Sequence, residues 1–299
     1  MPLTGHALSG GRRGSGGTLR AIDWKRTLHC LGDLHAGAIT QKRLEAVGAD
    51  VERPGTPALH LQVGDATERG LPAEDEEALG FLERVPGPWV TALGNHDVLG
   101  NRRTVAAWAR AYGQDSQNFC VDLDFVRVIV VGPNRTEPGK RAGRLSLETL
   151  AFLGDRLEEA GDTDCWIACH WPLFKTVMGD PRKHFTSAMA AFYAKPPDRI
   201  RELLLRHRNA RAWISGHTHS PISAPGLIKR KPLGPKRSIA AINGSALVGV
   251  GKTRDRADPL CSLYLTHRHD RIEVRCRDHR AGEWRNIGSS RVAEVRSGE

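Results

Sequence analysis

The chain has 299 residues, of which 39% are hydrophobic and 26% charged, with a formal net charge of +10. That length supports a sizeable buried core, and the composition is ordinary for a soluble globular protein. No apolar run reaches the roughly 18 residues of a membrane-spanning helix, so the protein is expected to be soluble.

Residues 1–20 are rich in Gly and Ser and lack the apolar core of a secretory signal, so they read as a disordered tail. From 21 to 299 no linker or internal repeat divides the chain, and a single domain is expected. Short apolar runs alternate with amphipathic stretches, which is the α/β pattern. Strands are predicted at 27–31, 58–63, 89–93, 165–169 and 212–215. Helices are predicted near 40–48, 73–84, 103–112, 146–160 and 198–208. Ser146 suits the N-cap of a helix carrying Leu147, Leu150, Leu153 and Leu157. The runs 119–123 and 125–131 lie close enough to pair as a hairpin. From 238 onward the pattern is strands without helices, at 238–243, 260–266, 271–277 and 283–288. Residues 171–195 read as a long loop, of the kind that covers sites.

Six cysteines, at 30, 120, 165, 169, 261 and 276, contain no C-x-x-C pair. They read as free, largely buried thiols in a reducing compartment, and a cytoplasmic location is expected. Charge is unevenly spread: residues 221–299 hold 16 Lys and Arg against 8 Asp and Glu, a balance of +8, whereas the first 220 residues balance at +2. This basic, strand-rich C-terminal part reads either as a solvated surface or as a contact for an anionic partner, nucleic acid included. The solvated surface is the preferred reading, because only Lys229, Arg230, Lys231, Lys236 and Arg237 cluster tightly.

Five predicted strands end on residues of metal-binding type. They are Asp33-Leu34-His35, Gly64-Asp65, Gly94-Asn95-His96-Asp97, His170 and Gly216-His217-Thr218-His219. In an open α/β sheet the carboxyl ends of strands collect at one edge, where ligands bind. Each piece alone is weak, and a lone His170 is usually a satisfied core histidine. The ordered set is specific. Its oxygen and nitrogen donors suit Mn, Fe, Zn or a similar divalent ion, and the absence of cysteine argues against a structural zinc site.

The set resembles the calcineurin-like metallophosphoesterase superfamily, with its D-x-H, G-D, G-N-H-[DE], H and G-H-x-H segments, over about residues 27–245. The resemblance implies a four-layer α/β/β/α sandwich of two mixed sheets flanked by helices. It implies two divalent metal ions (Mn, Fe, Zn or a mixture), one held by Asp33, His35 and His219, the other by Asn95, His170 and His217. Asp65 would bridge them. The implied reaction is hydrolysis of a phosphate ester by in-line attack of a metal-bridging hydroxide. His96 would protonate the leaving oxygen, with Asp97 orienting it, or else hydrogen-bond to the bridging hydroxide. Residues 64–70, G-D-A-T-E-R-G, are similar to a serine/threonine protein phosphatase segment whose Arg contacts phosphate. Arg69 is therefore either a phosphate clamp or a surface residue paired with Glu68. Thr91-Ala92-Leu93 lacks the Arg expected before Gly94 in protein phosphatases. A small-molecule phosphodiester or phosphomonoester, nucleotide-like, is thus the expected substrate. A nuclease or a protein phosphatase ranks below it, and a non-catalytic metal-binding scaffold ranks last. Arg182, Lys183, His184, Trp171 and the 229–237 loop are weaker substrate-contact candidates.

Overall fold

The computed structural model describes residues 21–136, 139–178, 185–249, 260–287 and 293–296. The tail at 1–20 and the loop residues Arg182, Lys183 and His184 lie outside them. In chain order the strands are β1 (Thr27–Leu31), β2 (Leu59–Gln62), β3 (Trp89–Thr91), β4 (Phe119–Leu123), β5 (Val126–Val130), β6 (Cys165–Ala168) and β7 (Ala210–Ser215). They continue as β8 (Ile228–Gly234), β9 (Arg237–Asn243), β10 (Cys261–His267), β11 (Arg271–Asp278), β12 (Glu283–Arg285) and β13 (Ala293–Arg296). The α-helices are α1 (Gln41–Val51), α2 (Pro72–Leu82), α3 (Val105–Ala111), α4 (Leu147–Glu159) and α5 (Pro197–Arg206).

One sheet has the order β12-β11-β10-β1-β2-β3, with β13 also paired to β11; the other has the order β4-β5-β6-β7-β9-β8. Both are mixed. β1, β2 and β3 run parallel, as do β5, β6, β7 and β9, and the outer strands are antiparallel. Leu28, Cys30 and Leu61 of the first sheet pack against Val128, Trp166 and Ile214 of the second, forming the central core. On the outer face of the first sheet, Val47, Phe81 and Trp108 of α1, α2 and α3 cover Leu31 and Leu93. On the outer face of the second, Leu153, Leu157 and Leu204 of α4 and α5 cover Ile129, Ile167 and Trp213. The layers are therefore helix, sheet, sheet, helix, as expected.

Helix α4 shows how local sequence sets one layer. The Ser146 hydroxyl accepts from Thr149 N at 3.1 Å, a cap that stabilises the helix by about 1 kcal/mol. Leu150, Leu153 and Leu157 then recur on one face and are buried, each side chain contributing about 1.5–3 kcal/mol. Leu147, expected on that stripe, instead lies in the first turn and is 65% exposed.

Two strands depart from the sequence expectation. The Pro- and Gly-containing stretch at 229–237 is not a loop. Most of it is β8, paired antiparallel to β9 with an irregularity at Pro232–Gly234. A proline fits there because β8 is an edge strand whose outer side needs no donor. Its lysines are ordinary devices that discourage edge-to-edge association. β13 is four residues long and too polar to read as a strand in isolation; its pairing with β11 supplies the order.

Candidate metal centre

The parallel strands deliver their carboxyl ends to one edge, and the five sequence segments meet there. Ligand-type atoms of Asp33, His35, Asp65 and His219 lie within 4.8 Å of one another, as do those of Asp65, His170 and His217. Asp65 belongs to both groups. Its Oδ2 stands 3.5 Å from His35 Nε2 and 3.2 Å from His170 Nε2. Its Oδ1 accepts from His96 N at 2.8 Å. One carboxylate oxygen thus sits between the two histidine pairs while the other is held by the backbone.

The backbone at these residues is strained. His35, Asp65, His217 and His219 all have positive φ, at 51°, 54°, 71° and 47°. Such conformations cost non-glycine residues of order 1–3 kcal/mol each and persist only where surrounding contacts impose them. The imposing contacts are visible. Leu34 N and His35 N both donate to Asp65 O, at 3.1 and 2.9 Å. Asp33 Oδ1 accepts from His217 N at 2.8 Å. Asn243, at the end of β9, donates to Gly216 O at 2.6 Å and accepts from Thr218 Oγ1 at 2.9 Å. Gly94 is required because a Cβ there would lie 2.1 Å from Asp65 N.

The imidazole tautomers follow from their outer partners. Carbonyl oxygens only accept, so His170 Nδ1 donates to Val63 O at 2.8 Å and His217 Nε2 donates to Ala191 O at 3.1 Å. That leaves the lone pairs of His170 Nε2 and His217 Nδ1 facing each other at 3.0 Å. Two lone pairs so close repel unless a proton or a metal cation lies between them. His35 Nε2 and His219 Nε2 approach similarly, at 3.1 Å. Asp33 Oδ2 and Asn95 Oδ1 are buried without a hydrogen-bond partner among the described residues. Buried oxygens of this kind need a partner or a cation. The residues therefore fit divalent cations.

Electrostatics of the side chains point the same way. Burial alone would raise Asp65, but His170, His96 and His35 outweigh it and hold the carboxyl well below the usual carboxylate range. Burial opposes charge on His170, but Asp65 and Asp33 overcome it and push the ring up to about 9. Burial and the neighbouring His170 lower His217 to about 3.

His96 and Asp97 separate in role. Both Asp97 carboxylate oxygens are occupied by the backbone around Asp65: Oδ2 accepts from Asp65 N at 3.1 Å and Gly94 N at 2.8 Å, and Oδ1 accepts from Thr67 N at 2.9 Å and Thr67 Oγ1 at 3.0 Å. Asp97 is thus turned toward the two loops it ties together, not toward His96 as expected from sequence. His96 Nδ1 donates instead to Glu68 O at 2.7 Å. Arg69 likewise differs from expectation. Its Nε pairs with Glu74, not Glu68, at 3.0 Å, and its side chain is 53% exposed. Glu74 also accepts from Arg69 N at 2.7 Å, which fixes the loop. Trp171 is fully buried, with its carbonyl accepting from Trp213 Nε1, and is a packing residue.

Sequence reasoning missed three contributors. Glu68 was considered only as a partner for Arg69. Asn243 ends a strand as the other site residues do. The Ala191 carbonyl has no side-chain signal at all.

Comparison with known proteins identifies the family and the fold. Residues 26–221 match the family model described as calcineurin-like phosphoesterase. A Synechococcus protein described as a probable cyclic nucleotide phosphodiesterase is 26% identical over 195 residues, covering 64% of this chain and 70% of that protein. Among solved structures, a dimetal phosphatase from Danio rerio superposes with a TM-score of 0.62 at 12% identity, covering 92% of this chain and 100% of the other. A purple acid phosphatase from yellow lupin seeds gives 0.57 at 12% identity, covering 91% of this chain and 53% of the other. The fold and site define a hydrolase of phosphate esters. The chain belongs to the calcineurin-like phosphoesterase family.

Proposed function

We propose that the protein hydrolyses a small phosphodiester, with cyclic nucleotides the foremost class, using two divalent cations. The observation that carries this reading is the position of Asp65 Oδ2 between His35 and His170, each paired with a second converging histidine. Asp33, His35, Asp65 and His219 would hold one ion; Asp65, Asn95, His170 and His217 would hold the other. When bound, the ions supply positive charge for the phosphoryl oxygens and lower the pKa of the attacking water.

The protein's own groups do the rest. With Nδ1–H donated to Glu68 O, a His96 imidazolium would give the leaving oxygen its proton from Nε2–H and become the neutral ring. Arg69, anchored on its Nε side by Glu74, presents a half-exposed guanidinium suited to a phosphoryl oxygen. The choice of diester over monoester rests on the similarity to the Synechococcus protein.

Nucleic acid is less well supported. Several basic residues of the C-terminal part are paired within the protein: Arg277 with Asp50, Arg268 with Glu273, Arg271 with Glu294 and Arg285 with Asp278. No helix among the described residues is long and apolar enough to cross a membrane.

The test is a turnover comparison in added Mn²⁺, using a cyclic nucleotide, a mononucleotide, bis-nitrophenyl phosphate and single-stranded DNA. The cyclic nucleotide and the small diester should be cut fastest. Faster cleavage of the mononucleotide or of DNA would overturn the assignment.

A further inference from the structure

The mechanism above leaves the Glu68 carboxylate unused, yet it stands in the middle of the site. Glu68 Oε2 lies 2.7 Å from His35 Nδ1, on the side of the ring opposite Asp65. The same residue's carbonyl takes His96 Nδ1, and its carboxylate is 3.9 Å from that nitrogen. His35 is completely buried, and its Nε2 is the atom that faces His219 and Asp65.

We propose that Glu68 is a positioning residue whose carboxylate fixes His35 as a metal ligand. This rests on the dinuclear reading of the site. An ionised carboxylate only accepts, so His35 Nδ1 carries the hydrogen and Nε2 keeps its lone pair for a cation. A carboxylate behind a ligating imidazole sets the ring's orientation and raises its basicity. The His35 ring cannot rotate about its own bond without breaking its contact to the Glu68 carboxylate. The carboxylate thereby ties the D-x-H segment to the loop that follows Asp65. The side chain reaches because it is a glutamate; an aspartate is one methylene shorter and falls short of His35 from this backbone position.

Two substitutions separate reach from charge. Glu68→Gln keeps the length and an acceptor oxygen; Glu68→Asp keeps the charge and loses the reach. Metal-stripped wild type and both variants are titrated with Mn²⁺ by calorimetry, with thermal midpoints measured alongside. Wild type should take up two ions. Glu68→Asp should take up two, with one affinity weakened by ~10–100-fold, as for loss of an outer partner. Glu68→Gln should recover most of that loss. In the Zn²⁺-loaded protein, ¹⁵N spectra should show His35 protonated at Nδ1 in wild type and Glu68→Gln. Wild-type affinity in Glu68→Asp would overturn the proposal. So would loss of a whole ion from Glu68→Gln, which would make Glu68 a ligand. Fewer than two ions in wild type would overturn the dinuclear reading and the proposal with it.

Discussion

Asp97→Asn separates a structural clamp from a catalytic partner, two roles that the sequence alone does not distinguish. The carboxylate receives four hydrogen bonds, from Asp65 N, Gly94 N, Thr67 N and Thr67 Oγ1, and is fully buried. An asparagine would keep its oxygen toward Asp65 N and Gly94 N and turn its NH₂ toward Thr67. The Thr67 hydroxyl can rotate to accept, but Thr67 N cannot. One buried N–H is then orphaned, at about 1–3 kcal/mol, and the bonds that remain lose their charge assistance. We expect a total loss of roughly 2–4 kcal/mol, within the range of broken buried networks. Urea unfolding followed by circular dichroism measures it. Metal content and activity should fall together, because the backbone carrying Asp65 is what loosens. Wild-type stability in the variant would refute the clamp. Lost activity with stability and metal content intact would restore the His96-orienting role expected from sequence.

Three further outcomes follow from the same geometry. His96→Ala should lower kcat/KM on a ribose ester far more than on a nitrophenyl ester, by ~10²–10⁴-fold on the former, since a good leaving group needs no proton; equal losses would remove the acid role. Arg69→Ala should lower kcat/KM by roughly 10–100-fold, as for a lost charge-assisted contact of about 1.5–3 kcal/mol, with metal content unchanged; wild-type kinetics would assign Arg69 to the surface. Far from the site, Asp50 is buried and receives Arg277 Nε and Nη2 at 2.8 and 2.6 Å and His279 Nδ1 at 3.0 Å. Burial opposes its charge, but Arg277 and His279 outweigh burial and lower its pKa. A depressed folded pKa contributes stability above the unfolded value, about 3.9, that is lost as pH falls through the folded one. Asp50→Asn should therefore cost about 3–5 kcal/mol near neutral pH and flatten the acid limb of stability against pH; an unchanged acid limb would contradict this.

Much of the fold was readable because β1, β2, β3, β6 and β7 end where apolar runs meet Gly, Asp, Asn or His, and those ends carry the site. Helix α4 was readable from Ser146 and its leucine spacing. What escaped reading depends on tertiary partners. β8 and β13 have breaker-rich or polar sequences and become strands only because β9 and β11 offer backbone groups to pair with. The partners of Arg69 and Asp97 escaped for the same reason. Neighbours in sequence, Glu68 and His96, were the natural guesses, but Glu74 of α2 reaches back to Arg69, and the Asp65 and Thr67 amides converge on Asp97. Motif order reveals which residues gather, whereas which atoms touch depends on the tertiary partners that the fold brings to each side chain.

The most direct test of the dinuclear account is metal uptake by wild type and Asp65→Asn, read by elemental analysis beside turnover of a cyclic nucleotide. Asp65 Oδ2 lies between both histidine pairs, 3.5 Å from His35 Nε2 and 3.2 Å from His170 Nε2. Chelator-treated wild type should be inactive, regain activity as Mn²⁺ is restored, and hold two ions per chain at full rate. Asp65→Asn should remain folded, hold fewer than two ions and turn over little. Full turnover by the chelator-treated protein, or by Asp65→Asn with fewer than two ions bound, would contradict the account.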